Sequence, residues 1–250
     1  MKISRHIIAI LAYNNYDLTV KNLKHLISLG YVNNILLFDN GSTPSFKQIS
    51  NQLKIRYHRV EQNLFVNPAW NKIFEQEQCK YLTLLNNDCF ILTPNYFEDV
   101  LQHMEKNEIQ ISSCKNKNLK KLKKSALTTS NYFLLNNENQ QLLCNYNPRR
   151  QGWLMTLNFE TYKTLDYRIP EYLKLWYGDD WIWSQFVMNG LKVGVYKNRY
   201  SVHIKNSTIS AIEMQMIIDE DNKNLAKFGQ WYKKISPIIH KRTRILSRYT

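Results

Sequence analysis

The sequence predicts an α/β protein built on a mixed, mainly parallel sheet flanked by helices, and three observations carry that prediction. Short apolar runs alternate with amphipathic segments of helical period through the first half of the chain. Three of these runs end in polar clusters: Ala12-Tyr13-Asn14, Asp39-Asn-Gly-Ser42 and Asn86-Asn-Asp88. No internal repeat and no Gly-, Pro- or Ser-rich linker divides the 250 residues, a length that one large domain accommodates.

Residues 7–11 are a first strand. Asp17 caps a helix in which Val20, Leu23, Leu26 and Ile27 share a face, and Gly30 stops it. Residues 35–38 are the second strand. Thr43 and Pro44 fit an N-cap and first helical position, with Phe46, Ile49 and Leu53 following. Residues 55–60 alternate as a third strand. Asn67-Pro68 opens a helix with Trp70, Ile73 and Phe74 inward, and residues 81–85 are a fourth strand. Thr93-Pro94 opens a helix carrying Phe97, Val100, Leu101 and Met104. Such alternation implies parallel pairing through right-handed crossovers.

After Ser112 the rhythm changes. Residues 115–130 read as a lysine-rich loop, 132–135 and 141–146 as a hairpin, and 153–157 as a strand. Helices over 161–165 and 179–189, strands over 193–196 and 201–204, and a long helix over 209–228 complete the chain before Gly229.

Composition narrows the function. No apolar run approaches the roughly 18 residues of a spanning helix, and the stretch after Met1 reads as a strand rather than a signal peptide. Cys79, Cys89, Cys114 and Cys144 lack CxxC spacing, which fits buried thiols in a reducing cytoplasm. The net charge of +14 is concentrated: Lys115 to Lys124 and the last twenty residues each hold six cations and no acid. Charge placed this way suits an anionic partner such as a membrane surface, a phosphorylated lipid or an acidic polymer.

The three polar clusters fall on one edge of a parallel sheet, where α/β folds bind ligands. Asp39 can accept hydrogen bonds from a base or ribose, and Tyr13 can lie against the base. Asp88, delivered by a buried strand, is a hard oxygen ligand for Mg²⁺ or Mn²⁺. Downstream, Trp176-Tyr-Gly-Asp-Asp-Trp181 opens a helix with two acids among aromatics. Indole faces stack on the C–H surfaces of sugars, which makes Trp176 and Trp181 candidate acceptor platforms, whereas Trp183, Phe186 and Val187 have core spacing.

These stretches, with Ile7 through Asn14, Asn63 through Asn71 and Val202-His203, resemble the GT-A glycosyltransferases, most closely the inverting family 2 type. The resemblance covers roughly residues 7–207. It implies a single catalytic domain over 1–230, with a nucleotide-binding half (1–112) and an acceptor half (131–230), followed by a basic helical tail over 231–250. It implies that Asp39 holds the nucleotide with Tyr13, Asn14, Asn71 and Asn87 nearby, and that Asp88 and a late histidine, His203, reach a Mn²⁺ or Mg²⁺ ion on the diphosphate. Asp180 becomes the catalytic base with Asp179 supporting it, and Gly152-Trp153 forms the turn beneath the donor sugar, grouped with the acceptor-side residues. The implied partners are a UDP-, GDP- or dTDP-linked sugar and a glycan or lipid-linked acceptor. The chain departs from the family pattern at Asn86, where an acid is usual, and at Phe65, where a glycine is common.

Two rival readings fit less well. A nucleotidyltransferase needs a Gly-rich phosphate loop, and Ala12 to Asp17 contains no glycine. A nucleic-acid-binding protein would explain the basic stretches but not Asp88 and Asp180.

Overall fold

Elements β1 (Ser4–Ala12), α1 (Tyr16–Ser28), β2 (Ile35–Asn40), α2 (Lys47–Leu53), β3 (Arg56–Val60), α3 (Val66–Gln76) and β4 (Cys79–Asn86) alternate as the apolar pattern dictates. They belong to a computed structural model that describes residues 4–116, 141–146, 152–204 and 211–225. The lysine-rich stretch beyond Asn116, the first strand of the predicted hairpin and the basic tail over 231–250 lie outside the described residues.

Strands β1 to β4 pair in parallel, in the order β3-β2-β1-β4. The second half adds β5 (Cys89–Ile91), α4 (Tyr96–Asn107), β6 (Ile109–Asn116), β7 (Cys144–Asn145), β8 (Leu154–Asn158), α5 (Phe159–Lys163), α6 (Gly178–Met188), β9 (Lys192–His203) and α7 (Ala211–Leu225). The sheet continues past β4 as β8-β6-β9-β5, with β7 on the side of β9. Direction reverses at β4, whose partner β8 is antiparallel.

Burial on both faces explains the near-continuous apolar strands. In β1, Ile7, Ala9 and Leu11 join one core with Trp70 and Phe74 of α3, Tyr162 of α5 and Phe186 of α6. Ile8, Ile10 and Ala12 join the other, with Leu23 and Leu26 of α1 and Phe97, Val100 and Met104 of α4. The result is a helix–sheet–helix sandwich.

Several boundaries differ from the sequence reading. The Thr43–Pro44 peptide is cis, and α2 begins only at Lys47, so this pair belongs to the preceding turn. The polar run after Ser112 continues β6 to Asn116, because Ser112, Ser113 and Cys114 are buried between neighbouring strands. The two final strands are one strand, β9, with Lys197, Asn198 and Arg199 bulged out between the pairs Cys114–Tyr196 and Lys115–Tyr200. The bulge is anchored: Arg199 pairs with Asp99 at 2.7 Å, and the Asn198 side chain accepts from Leu143 N and donates to Gln141 O. Among the described residues no helix is long and apolar enough to cross a membrane.

Candidate active site

The strand register brings the predicted clusters to one edge. Ala12 lies opposite Asp39 and Leu11 opposite Asn86, so the ends of β1, β2 and β4 border a common crevice. Tyr13 is half-buried there. Asn14 ties the first two ends together: its N–H donates to Ser42 Oγ (2.9 Å) and its Oδ1 accepts from Thr43 N (2.9 Å).

Asp39 is wholly buried. Its Oδ1 accepts from Ser42 N, and its Oδ2 from Phe46 N, Tyr57 Oη and Arg59 Nη1 at 2.6–3.1 Å. Burial alone would raise its pKa, but the hydrogen bonds from Tyr57, Ser42 and Phe46 prevail and hold it below the ordinary carboxylate value. The carboxylate predicted to face a base therefore faces the protein, where it shapes the loop after β2 and fixes Arg59. Gly41 in that loop has φ +80, and a Cβ there would come within 2.7 Å of the Gln62 carbonyl carbon. Only glycine fits both demands.

The loop from β3 into α3 packs against Gly41 and rests on asparagines. Asn40 donates to Asn63 Oδ1 and Phe65 O, and its own Oδ1 accepts from Leu64 N. These bonds hold Phe65 at φ 64, ψ −176, a region that is essentially glycine's alone. Asn71 corrects the sequence reading: its amide donates to Ile169 O (2.7 Å) and accepts from Ile169 N (2.9 Å), and the side chain is buried. Both polar ends are used in joining α3 to the segment before α6, not in lining a nucleotide pocket.

The two residues predicted to share a metal do meet. His203 Nε2 stands 3.1 Å from Asp88 Oδ1, with side-chain exposures of 15% and 8%. Asn86 Nδ2 is 3.4 Å from the same nitrogen. The indole of Trp153 stacks on the imidazole, centroids 5.5 Å apart and planes within 14°. His203 Nδ1 and Trp153 Nε1 are buried with no hydrogen-bond partner among the described residues. Two ligands placed cis on an octahedral ion with bonds of about 2.1 Å stand about 3 Å apart, which is the separation of this oxygen and nitrogen. The donor set thus suits a divalent cation. No group of three or more His, Cys, Asp or Glu fit to hold a metal occurs among the described residues.

The Asp88 turn is held from behind by α1. Asn22, fully buried, donates to Asn87 O and Cys89 O at 3.1 Å each. The Asn87 side chain donates to Thr19 Oγ1 (2.9 Å), so it points into α1 and not towards the nucleotide side as predicted.

The acidic motif starts α6. Tyr177 precedes it in the left-handed conformation, φ 64, and Gly178 lies so close to Asn67 Oδ1 that no Cβ fits. Asp179 is half-buried with its carboxylate on Gly152; a Cβ there would sit 2.9 Å from Oδ2. Gly152 adjoins Trp153, and Trp153 stacks on His203, so a short chain of contacts joins Asp179 to the Asp88–His203 pair. Asp180 is 3% exposed. Trp181 is not an open platform: it is 7% exposed, packs in the core, and its Nε1 donates to Asp166 O. Trp176 is half-buried at the rim, edge-on to Tyr177.

The family described as glycosyl transferase family 2 matches residues 7–165, well over half of the chain. The chain belongs to glycosyl transferase family 2. Among curated proteins no significant sequence match was found.

Solved structures similar to this family 2 member include GalNAc-T7 with UDP, GalNAc and Mn²⁺, at TM-score 0.58 and 12% identity over 82% of this chain and 44% of that one. Staphylococcus aureus TarS residues 1–349 is similar in complex with UDP, at TM-score 0.55 and 13% identity over 87% of this chain and 64% of that one. Its complex with UDP-GlcNAc gives TM-score 0.57 and 14% identity over 86% and 66%. The chain spans between about two fifths and two thirds of these proteins, and at such identities the likeness establishes the GT-A fold.

The candidate site is also supported by residues that carry no motif signal, Asn22 behind Asp88 and Asn67 against Gly178. Asn67 is the one with a visible hint, since it falls beside Pro68 within the stretch that resembles the family.

Proposed function

We propose that the chain is an inverting, metal-dependent glycosyltransferase that moves a sugar from a nucleoside-diphosphate donor to a glycan or lipid-linked acceptor in polysaccharide or glycoconjugate synthesis. The observation that carries the proposal is the Asp88–His203 pair at the end of β4, joined through Trp153 and Gly152 to Asp179 at the start of α6.

Asp88 Oδ1 and His203 Nε2 would hold a Mn²⁺ or Mg²⁺ ion at the donor's diphosphate. When bound, such an ion neutralises charge that develops on the departing diphosphate. Trp153 keeps the imidazole ring in place and shields it from water. At the other side an acid of the Asp179–Asp180 pair takes the proton of the acceptor hydroxyl while its oxygen bonds to the anomeric carbon and the bond to the diphosphate breaks. Asp180 is the proposed base. Asp179, packed on Gly152, positions the donor turn. With one protein carboxylate at the ion, metal affinity is expected to depend on the donor. Tyr13 and the loop built by Asn14, Asp39 and Ser42 are proposed to seat the nucleoside.

A location in the cytoplasm, peripheral on the inner membrane face, is also proposed from the basic, aromatic-interleaved stretch 231–250; flotation with anionic vesicles, with and without that stretch, tests it. The central experiment is a panel of UDP-, GDP- and dTDP-sugars, with and without Mn²⁺, read by thermal shift and by nucleotide release. Metal-dependent stabilisation and turnover by one base class, with an inverted anomer in the product, is the expected result. No response to any donor, or a retained anomer, overturns the proposal.

A further inference from the structure

The segment from Lys174 to Trp176 leads directly into the acidic motif, and its backbone is held from two sides. On one side Asn67 of α3 takes the carbonyls: Asn67 Nδ2 donates to Trp176 O (2.8 Å) and Asn67 N to Lys174 O (3.0 Å). On the other side stands one carboxylate of α7. Asp221 Oδ1 accepts from Lys174 N (2.8 Å), and Oδ2 from Leu175 N (2.8 Å) and Trp176 N (2.7 Å). Asp221 is fully buried. Three consecutive amide donors converging on an ionised acceptor are charge-assisted bonds, about twice as strong as neutral ones.

Its neighbours on α7 extend the same grip. Asn222 Oδ1 accepts from Tyr177 Oη, Asn224 donates to Tyr172 O (2.9 Å), and Glu220 pairs with Lys174 at 3.3 Å. The two residues after the held segment have little freedom of their own. Tyr177 occupies the left-handed region, which is strained for a bulky side chain, and Gly178 is wedged against Asn67. A loop in such a conformation persists only where its surroundings over-determine it, and here they are Asn67 and Asp221.

We infer that Asp221 is a positioning residue for the acid pair: by gathering the amides of residues 174–176 it fixes where Asp179 and Asp180 stand relative to the Asp88–His203 pair. Helix α7, which comes after the metal-side strand in sequence, is thereby part of the acceptor-side machinery. The inference rests on the function proposed above for Asp179 and Asp180.

The test uses the full chain and the sugar nucleotide that turns over in the donor panel. Asp221→Asn keeps the side chain's size but replaces one acceptor oxygen by a donor. The expected result is a kcat lower by about 10- to 100-fold, the scale of an ångström's misplacement, with the affinity for that donor's nucleoside diphosphate and Mn²⁺ unchanged within twofold. Asp221→Glu, which keeps the charge, should recover part of the rate. If Asp221→Asn fails to fold, Tyr177→Phe removes the hydroxyl that reaches Asn222 and should lower kcat in the same selective way. A kcat within twofold of the parent in the folded variant, or nucleoside-diphosphate binding lost in proportion to rate, overturns the inference. The outcomes separate cleanly from those for the base. Full activity of both Asp179→Asn and Asp180→Asn defeats the catalytic reading, and this inference with it. Inactive acid variants beside a normal Asp221→Asn defeat the positioning role alone.

Discussion

The carboxylate of Asp179 packs on the α-carbon of Gly152, leaving 2.9 Å between Oδ2 and the place a methyl group would occupy. Gly152→Ala must therefore displace either the acid or the turn that carries Trp153. Transfer should fall by about 10- to 100-fold, while binding of UDP, the probe of the nucleoside seat proposed at the Tyr13 loop, stays near the parent's. Calorimetry of UDP binding alongside steady-state rates checks this. An unimpaired Gly152→Ala would show that the contact has no bearing on the reaction.

Replacing each acid by its amide distinguishes their roles. Asp180→Asn preserves shape and removes basicity, so the rate should drop by about 10² to 10⁴-fold with donor affinity little changed. Asp179→Asn should cost less. The reverse ranking would transfer the base to Asp179, which is the more exposed of the two.

At the metal side, Asp88→Ala should abolish transfer and Mn²⁺-dependent stabilisation by UDP without unfolding the protein, because a charge at the rim of the sheet is lost and no core packing. Asn86→Asp places a second carboxylate where the Asn86 amide now stands, 3.4 Å from His203 Nε2. It should tighten Mn²⁺ binding in the absence of donor. Full turnover by Asp88→Ala in excess EDTA would remove the ion from the mechanism.

Stability should fall on mild acidification. Burial, aided by the charge of Arg5, pushes the His6 pKa from 6.5 down to about 3, and burial also lowers that of His25, opposed by its bond to Ile91 O. The unfolded chain binds protons near pH 6.5 that the folded chain refuses. The stabilisation is thus complete above that pH and declines as pH drops towards the folded values, by up to about 1.4 kcal/mol per pH unit for each histidine. Asp39, with its pKa lowered, contributes stability that is complete above the ordinary carboxylate value of 3.8 and is lost only as pH falls below it. Urea unfolding at pH 7.5 and 5 should show the loss, and His6→Gln should flatten it. Equal stability at both pH values would contradict the assignment.

Phe65→Gly relaxes a residue in glycine's own region at a gain of about 1–3 kcal/mol, offset by roughly 0.5–1 kcal/mol of chain entropy. A higher melting temperature is expected. A lower one would mean that the ring, which lies 6.0 Å from Lys174 Nζ, contributes more than the backbone costs.

The parallel half of the fold was readable because its strands are apolar on both faces and its helices are punctuated by Gly and Pro. The pairing of Asp88 with His203 was foreseen through the family resemblance, and the register supplies its geometry. Other parts were hidden for a common reason. Asn22, Asn67 and Asp221 are polar residues whose partners are backbone groups remote in sequence, and periodicity assigns such residues to a solvent face. Asn71 and Trp181 erred the opposite way, since residue types suited to ligands serve here as a staple and a core filler. Strand β6 escaped notice because its polar Ser112 and Ser113 break the apolar pattern and its end, Lys115–Asn116, falls in the stretch read as a lysine-rich loop. In the fold Ser113 Oγ donates to Leu154 O.

The bulge in β9 decides which way His203 faces. Counted in twos from Tyr196, His203 falls on the opposite face of the sheet. The odd number of residues in the 197–199 bulge reverses the phase, and the pairing of Cys89 with His203 confirms that the imidazole shares the face of Cys89. The direction of a side chain proposed to hold the ion is thus inherited from an irregularity in mid-strand, fastened by Arg199 and Asn198. A slip of one residue downstream would turn the ring to the other side. Straightening this strand, however favourable for the sheet, would disarm the crevice.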